Sequence, residues 1–282
     1  MKKISLFLGL ALALAGCGWE SDGAERLAER FADTATTTDV GPDEVAAPDV
    51  DLGDVGGTGL TGRWAVQVVV TGTMAPIGIS WDYTETTYFL SDMTDGGATA
   101  DWTYCDQVND VPKAPNPTAQ PQALRDLLAS KPLRVTLSSD GLMPSGLVWT
   151  WGLDRARLGD EKPQGLTATS DAVIDEDDDQ QPGVTLEVQT KTGGHFASRY
   201  LARWERFDLQ AGSLSEDGQR IEGVLAADAI EFALGADNAV VNRDAKLAVT
   251  PGTGHTWRLR RVPSDYTCDQ LKTDAAGLFP AP

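Results

Sequence analysis

From Leu60 onward, apolar residues alternate with polar ones over short runs, punctuated by glycine, proline and Asp-Gly or Gly-Gly pairs. A period of two puts one face of a strand in a core and the other in solvent. The pattern predicts strands over Gly62–Gly72, Ile77–Phe89 and Ala98–Tyr104, with Asp95-Gly96-Gly97 as a turn. Further strands are expected over Leu133–Leu137, Leu147–Gly152, Val184–Thr190, Tyr200–Leu209, Ile221–Leu225, Lys246–Thr250 and His255–Val262. Ser215–Gly218 reads as a hairpin turn, and Ala227–Leu234 fits a strand or a helix. Four prolines between Pro112 and Pro121 mark a connection, and Ala123–Ser130 is the one helix, stopped by Pro132. Many short strands with turns every 8–15 residues make the expected fold mainly β, an antiparallel β-sandwich or β-barrel with one short helix.

The N-terminus follows another pattern. Met1-Lys2-Lys3 is basic, and Ile4–Ala15 is an apolar run of twelve residues. A helix needs about 20 residues to span a bilayer, so this run fits the apolar region of a secretory signal instead. Leu14-Ala15-Gly16-Cys17 resembles the lipobox of bacterial lipoproteins. The resemblance implies that 1–16 is a signal peptide removed before Cys17. It also implies that the Cys17 thiol carries diacylglycerol and that its new amine carries an acyl chain such as palmitate. Two or more chains anchor stably, at about 0.8 kcal/mol per buried CH₂. Gly18 stands where inner-membrane retention would place Asp, so the resemblance points to the bacterial outer membrane. The membrane is then the first expected partner.

Charge separates the next segment from the body. The chain has 282 residues, 42 acidic and 23 basic, for a net charge of −19. Residues 18–60 hold eleven acids and two arginines, including a Pro-Asp-Val-rich stretch with no amphipathic period. Such a segment cannot bury enough apolar surface to order itself, so 17–59 is expected to be a disordered acidic linker on the lipid anchor. Residues 60–282 are expected to be a single β-rich domain. The acidity excludes a nucleic-acid partner, which would need a basic face.

Beyond Cys17, Cys105 and Cys268 remain, an even pair in an exported chain, and they predict a disulfide tying the third strand to the C-terminal tail. Asp175, Asp177 and Asp179 sit at alternate positions, as in calcium loops, where converging carboxylates suit a hard cation. Gln180 and Leu186 replace the glycine and bidentate glutamate of an EF-hand, which leaves a looser calcium site or a solvated acidic turn. Trp149 and Trp151 project from one face of a strand. They would stack on a sugar if exposed and fill the core if not. His195 and His255 fall in turns and read as surface residues.

Gly62-Arg63-Trp64 opens the first strand, and Arg258, Arg260 and Arg261 lie on the last. This resembles the lipocalin arrangement, in which an early Gly-x-Trp packs under a late arginine as a cation–π stack. The resemblance implies a barrel that carries a small apolar ligand. No Gly-x-Ser-x-Gly elbow, His-Glu-x-x-His, phosphate loop or dinucleotide fingerprint occurs. The expectation is a cell-envelope lipoprotein whose domain has a binding or structural role without catalysis. The alternatives are a lipocalin-like carrier, a calcium-dependent carbohydrate-binding module and an envelope hydrolase, with a small ligand, a glycan or an envelope protein as partner.

Overall fold

Where apolar and polar residues alternate, the chain pairs into one antiparallel sheet. A computed structural model describes residues 59–74, 80–94, 99–112, 118–138, 141–142, 147–190, 192–210, 212–239, 241, 247–249 and 253–280. Cys17, the expected signal peptide, residues 17–58 of the expected linker and the expected turn at Asp95-Gly96-Gly97 lie outside them. In chain order the elements are β1 (Gly62–Met74), β2 (Trp81–Met93), β3 (Thr99–Asp110), β4 (Thr118–Ala119), α1 (Gln122–Ala129), β5 (Leu133–Ser138), β6 (Gly141–Leu142) and β7 (Leu147–Trp151). There follow α2 (Arg155–Leu158), β8 (Val184–Gln189), β9 (His195–Leu209), β10 (Ser213–Leu214), β11 (Arg220–Ala236), β12 (Leu247–Val249), β13 (Thr256–Val262) and α3 (Cys268–Leu278).

The sheet curls into a half-barrel. β1, β2, β3 and β5 pair in succession, as do β7, β9, β11 and β13, and β13 returns to pair with β1. The main strands therefore follow chain order around the curl. Between β5 and β7 lies a seam, where the two strands approach without a hydrogen-bonded ladder. β7 and β8 share one edge of β9, pairing with its 203–207 and 195–201 stretches.

Register sets the inner face. Val66 lies opposite Phe89 of β2 and Leu259 of β13, and all three are buried in the main core. Tryptophan fills much of that core: Trp64, Trp102, Trp149, Trp151 and Trp257 are all buried there. Side chains bridge the seam. The Trp149 ring of β7 lies 5.7 Å from Phe89 of β2 and 5.7 Å from Tyr104 of β3. Outside the curl, Leu153 packs on Ala202 and Trp204 of β9, while Leu271, Leu278 and Phe279 pack on Ala65 and Leu90.

Several boundaries correct the sequence expectations. Ala227–Leu234 is strand, because β11 pairs along its length with β9, from Leu225↔Leu209 to Ala236↔Arg199. The ladder overrides its alanine-rich helix compatibility. Among the described residues there are three short helices rather than one. The C-terminal tail is α3, started by a capping box in which Thr267 Oγ1 accepts from Gln270 N at 3.3 Å and Thr267 N donates to Gln270 Oε1 at 2.9 Å. Leu271, Ala275 and Leu278 supply its buried stripe. Cys105 and Cys268 lie at disulfide distance, with 5.1 Å between their Cα atoms, pinning the start of α3 to β3.

Candidate functional site

One end of the curl is closed by an arginine. Arg261 faces inward from β13, opposite Trp64 in the β1–β13 register, with its guanidinium carbon 4.4 Å from the Trp64 ring centroid. Its Nε donates to Gly218 O at 3.0 Å, Nη2 to Gly59 O at 2.6 Å, and Nη1 to Thr61 O. Trp64 Nε1 donates to Leu60 O at 2.9 Å. Gly62 permits the arrangement: its φ of +139° is a glycine conformation, and a Cβ there would come within 2.5 Å of Arg261 Nη1. One guanidinium thus ties the entry to β1 to the turn before β11. Of the three arginines singled out by sequence, Arg261 makes this stack. Arg258 and Arg260 face out toward Phe279, each 5.9 Å from its ring.

Farther along the interior lies a charged layer that sequence reasoning missed. Arg203 of β9 is 3% exposed, and Glu85 of β2 and Glu205 of β9 are each 1% exposed. Arg203 Nη2 donates to Glu85 Oε2 at 2.5 Å and also to Glu205 Oε1. Because β9 and β2 are not neighbours in the sheet, the Arg203–Glu85 pair crosses the interior of the curl. The Arg203 guanidinium also lies 5.0 Å from the Trp151 ring centroid. Beside it, Arg199 of β9 pairs with Glu231 of β11 at 2.7 Å. Among the described residues, Tyr83 Oη, Glu85 Oε1, Glu205 Oε2, Arg203 Nε and the indole nitrogens of Trp149 and Trp151 are buried without a hydrogen-bond partner. Burial pushes the Glu205 carboxyl up to about 8, against the opposing pull of Arg203. Burial likewise raises the Tyr83 hydroxyl. A signal was present: Glu85 is in phase with Phe89, and Arg203 and Glu205 are in phase with Leu201 and Phe207.

Asp175, Asp177 and Asp179 come together as expected, each offering a carboxylate oxygen within 4.8 Å of the others. Asp175 accepts from Asp179 N at 3.1 Å and from Gln180 N at 2.8 Å, and Asp177 Oδ2 accepts from Thr185 N at 2.8 Å. Gln180 has φ +67°, the conformation that a glycine would take in an EF-hand loop. Asp177 Oδ1 is buried without a partner, and desolvation raises the Asp177 carboxyl. The bidentate closing ligand is missing, since Leu186 points into the core and Glu187 faces His195 Nδ1 at 3.5 Å.

Trp149 and Trp151 require a correction. They are 4% and 1% exposed and stack edge-to-face at 5.3 Å inside the curl, so they form no exposed sugar platform. Hydrophobic burial and the cross-seam contacts hold them inward. His255 is corrected too: it is buried, and its Nδ1 accepts from Thr71 N at 3.1 Å, linking the start of β13 to β1. His195 is exposed, as expected, but it begins β9 instead of sitting in a turn. A cleft of about 370 Å³ lies over the seam, lined by Leu133, Trp149 and the Lys131–Glu176 ion pair among others. Comparison with known proteins finds no matching family model, no matching curated protein and no matching solved structure.

Proposed function

We propose that this chain is a cell-envelope lipoprotein, held on a bacterial membrane through acylated Cys17, that presents its curled sheet as a non-catalytic binding domain of lipocalin-like design. The Arg261–Trp64 stack carries the second half of this reading. It closes one end of a sheet whose last strand returns to its first, which is the feature the Gly-x-Trp resemblance anticipates. The first half rests on the basic start, the apolar run and Leu14-Ala15-Gly16-Cys17. The closed end is packed with aromatic rings, so an apolar ligand enters at the β5–β7 seam, where it displaces the Trp149 ring from Phe89 and Tyr104.

Titration of intrinsic tryptophan emission with oleate tests the binding role. Saturable quenching at about one oleate per chain is expected, because Trp149 and Trp151 line the seam side of the interior. Emission that stays unchanged, or falls linearly without saturation, would overturn the carrier role.

A further inference from the structure

The interior layer contains more negative than positive charge. The charged and titratable groups that meet there are Tyr83 and Glu85 from β2, Tyr104 from β3, Arg199, Arg203 and Glu205 from β9, and Glu231 from β11. β7 contributes the indoles of Trp149 and Trp151. Arg199 and Glu231 neutralise each other. Arg203 is then left with two carboxylates, Glu85 and Glu205, both held by the same Nη2 atom. Each glutamate keeps one oxygen, Glu85 Oε1 and Glu205 Oε2, buried without a partner.

We propose that the Glu85–Arg203–Glu205 layer is a binding site for one proton, held between the free oxygens of the two glutamates. One proton removes the surplus negative charge from a place that water does not reach, and it turns one of two unpartnered acceptors into a donor. A metal ion would want a fuller oxygen shell than two carboxylate oxygens and the Tyr83 hydroxyl provide. Geometry therefore favours the smallest cation. The elevated Glu205 carboxyl agrees with this.

The linkage has a definite sign. The folded chain holds the proton up to about pH 8, whereas an unfolded glutamate releases it near 4.3. The stabilisation is complete below the unfolded value and is lost as pH rises through that window, so acid protects the fold here. This inference is independent of the anchor and of any apolar ligand.

Equilibrium unfolding of the full chain between pH 5 and 9 (roughly the span that one proton covers) tests it, with Glu205→Gln and Glu85→Gln alongside. The wild-type unfolding constant is expected to rise up to about tenfold per pH unit until pH 8. In Glu205→Gln, a neutral isostere, most of that rise should vanish. Infrared difference spectra should show a buried carboxylic-acid carbonyl band at pH 7 that disappears in the same variant. Should Glu205→Gln fail to fold, Glu85→Gln and the wild-type band still decide. The same pH dependence in wild type and both variants, or no acid band at pH 7, would overturn the proposal. So would a saturable restoration of stability by sodium, potassium or ammonium chloride at pH 9, which would make the occupant a larger cation.

Discussion

Arg261 ties two separate segments of this domain together through one guanidinium. Its guanidinium covers Trp64 and donates to three backbone oxygens that belong to two separate segments. A lysine has one compact charge and cannot make that planar fork. Arg261→Lys and Arg261→Ala are therefore both expected to lower unfolding free energy by about 2–4 kcal/mol in denaturant titrations, from the lost stack and the orphaned carbonyls. A loss below about 0.5 kcal/mol, the range of an ordinary surface change, would mean that the end is closed by other contacts. Gly62 and Trp64 were legible because their role rests on a short local pattern at a strand start. The inward phase of Glu85 and Arg203 was legible as well, but their pairing was not, since 118 residues separate them and only the curl brings them together.

At the scale of elements, the pattern of apolar and polar positions found strands more readily than their ends. The β9 strand starts at His195, five residues before the alternation suggests, because its outer end pairs with β8 and β11 beyond its own apolar stripe. The α3 helix escaped notice because its apolar stripe is only three residues long, although Thr267 and Gln270 spelled out its cap. Its tie to β3 spans 163 residues, and a disulfide across such a loop is worth about 2–4 kcal/mol. The acidic loop before β8 was legible as a cluster, and its backbone shape was not. Three carboxylates lie within 4.8 Å of one another and Gln180 is at φ +67°, without the bidentate closing ligand of an EF-hand. A calcium site here predicts a melting midpoint that rises saturably at millimolar calcium, a rise that Asp177→Asn abolishes. A midpoint that does not move at millimolar calcium would leave a solvated acidic turn.

The whole molecule could not be read as sandwich or barrel from sequence, because that choice depends on which distant strands pair. Here β13 meets β1, and the seam between β5 and β7 is spanned by Trp149 and by the Arg203–Glu85 pair behind it rather than by a ladder. Two uses of one interior follow, an aromatic half stacked toward the closed end and a charged layer beyond it. The acidic composition also resolves into parts by sequence: residues 18–60 carry a net −9, and a further acidic cluster lies at 171–179.

All of this matters to function through the claim that the domain is presented from a membrane by an acyl anchor. Expression of the full chain in a bacterial host with a radiolabelled or alkyne-bearing palmitate, followed by membrane fractionation, measures that claim directly. The wild-type chain should incorporate label and sediment with the outer membrane, and Cys17→Ser should lose both properties. A Cys17→Ser chain that still takes up label or still sediments with the membrane would contradict the account, as would an unlabelled wild type.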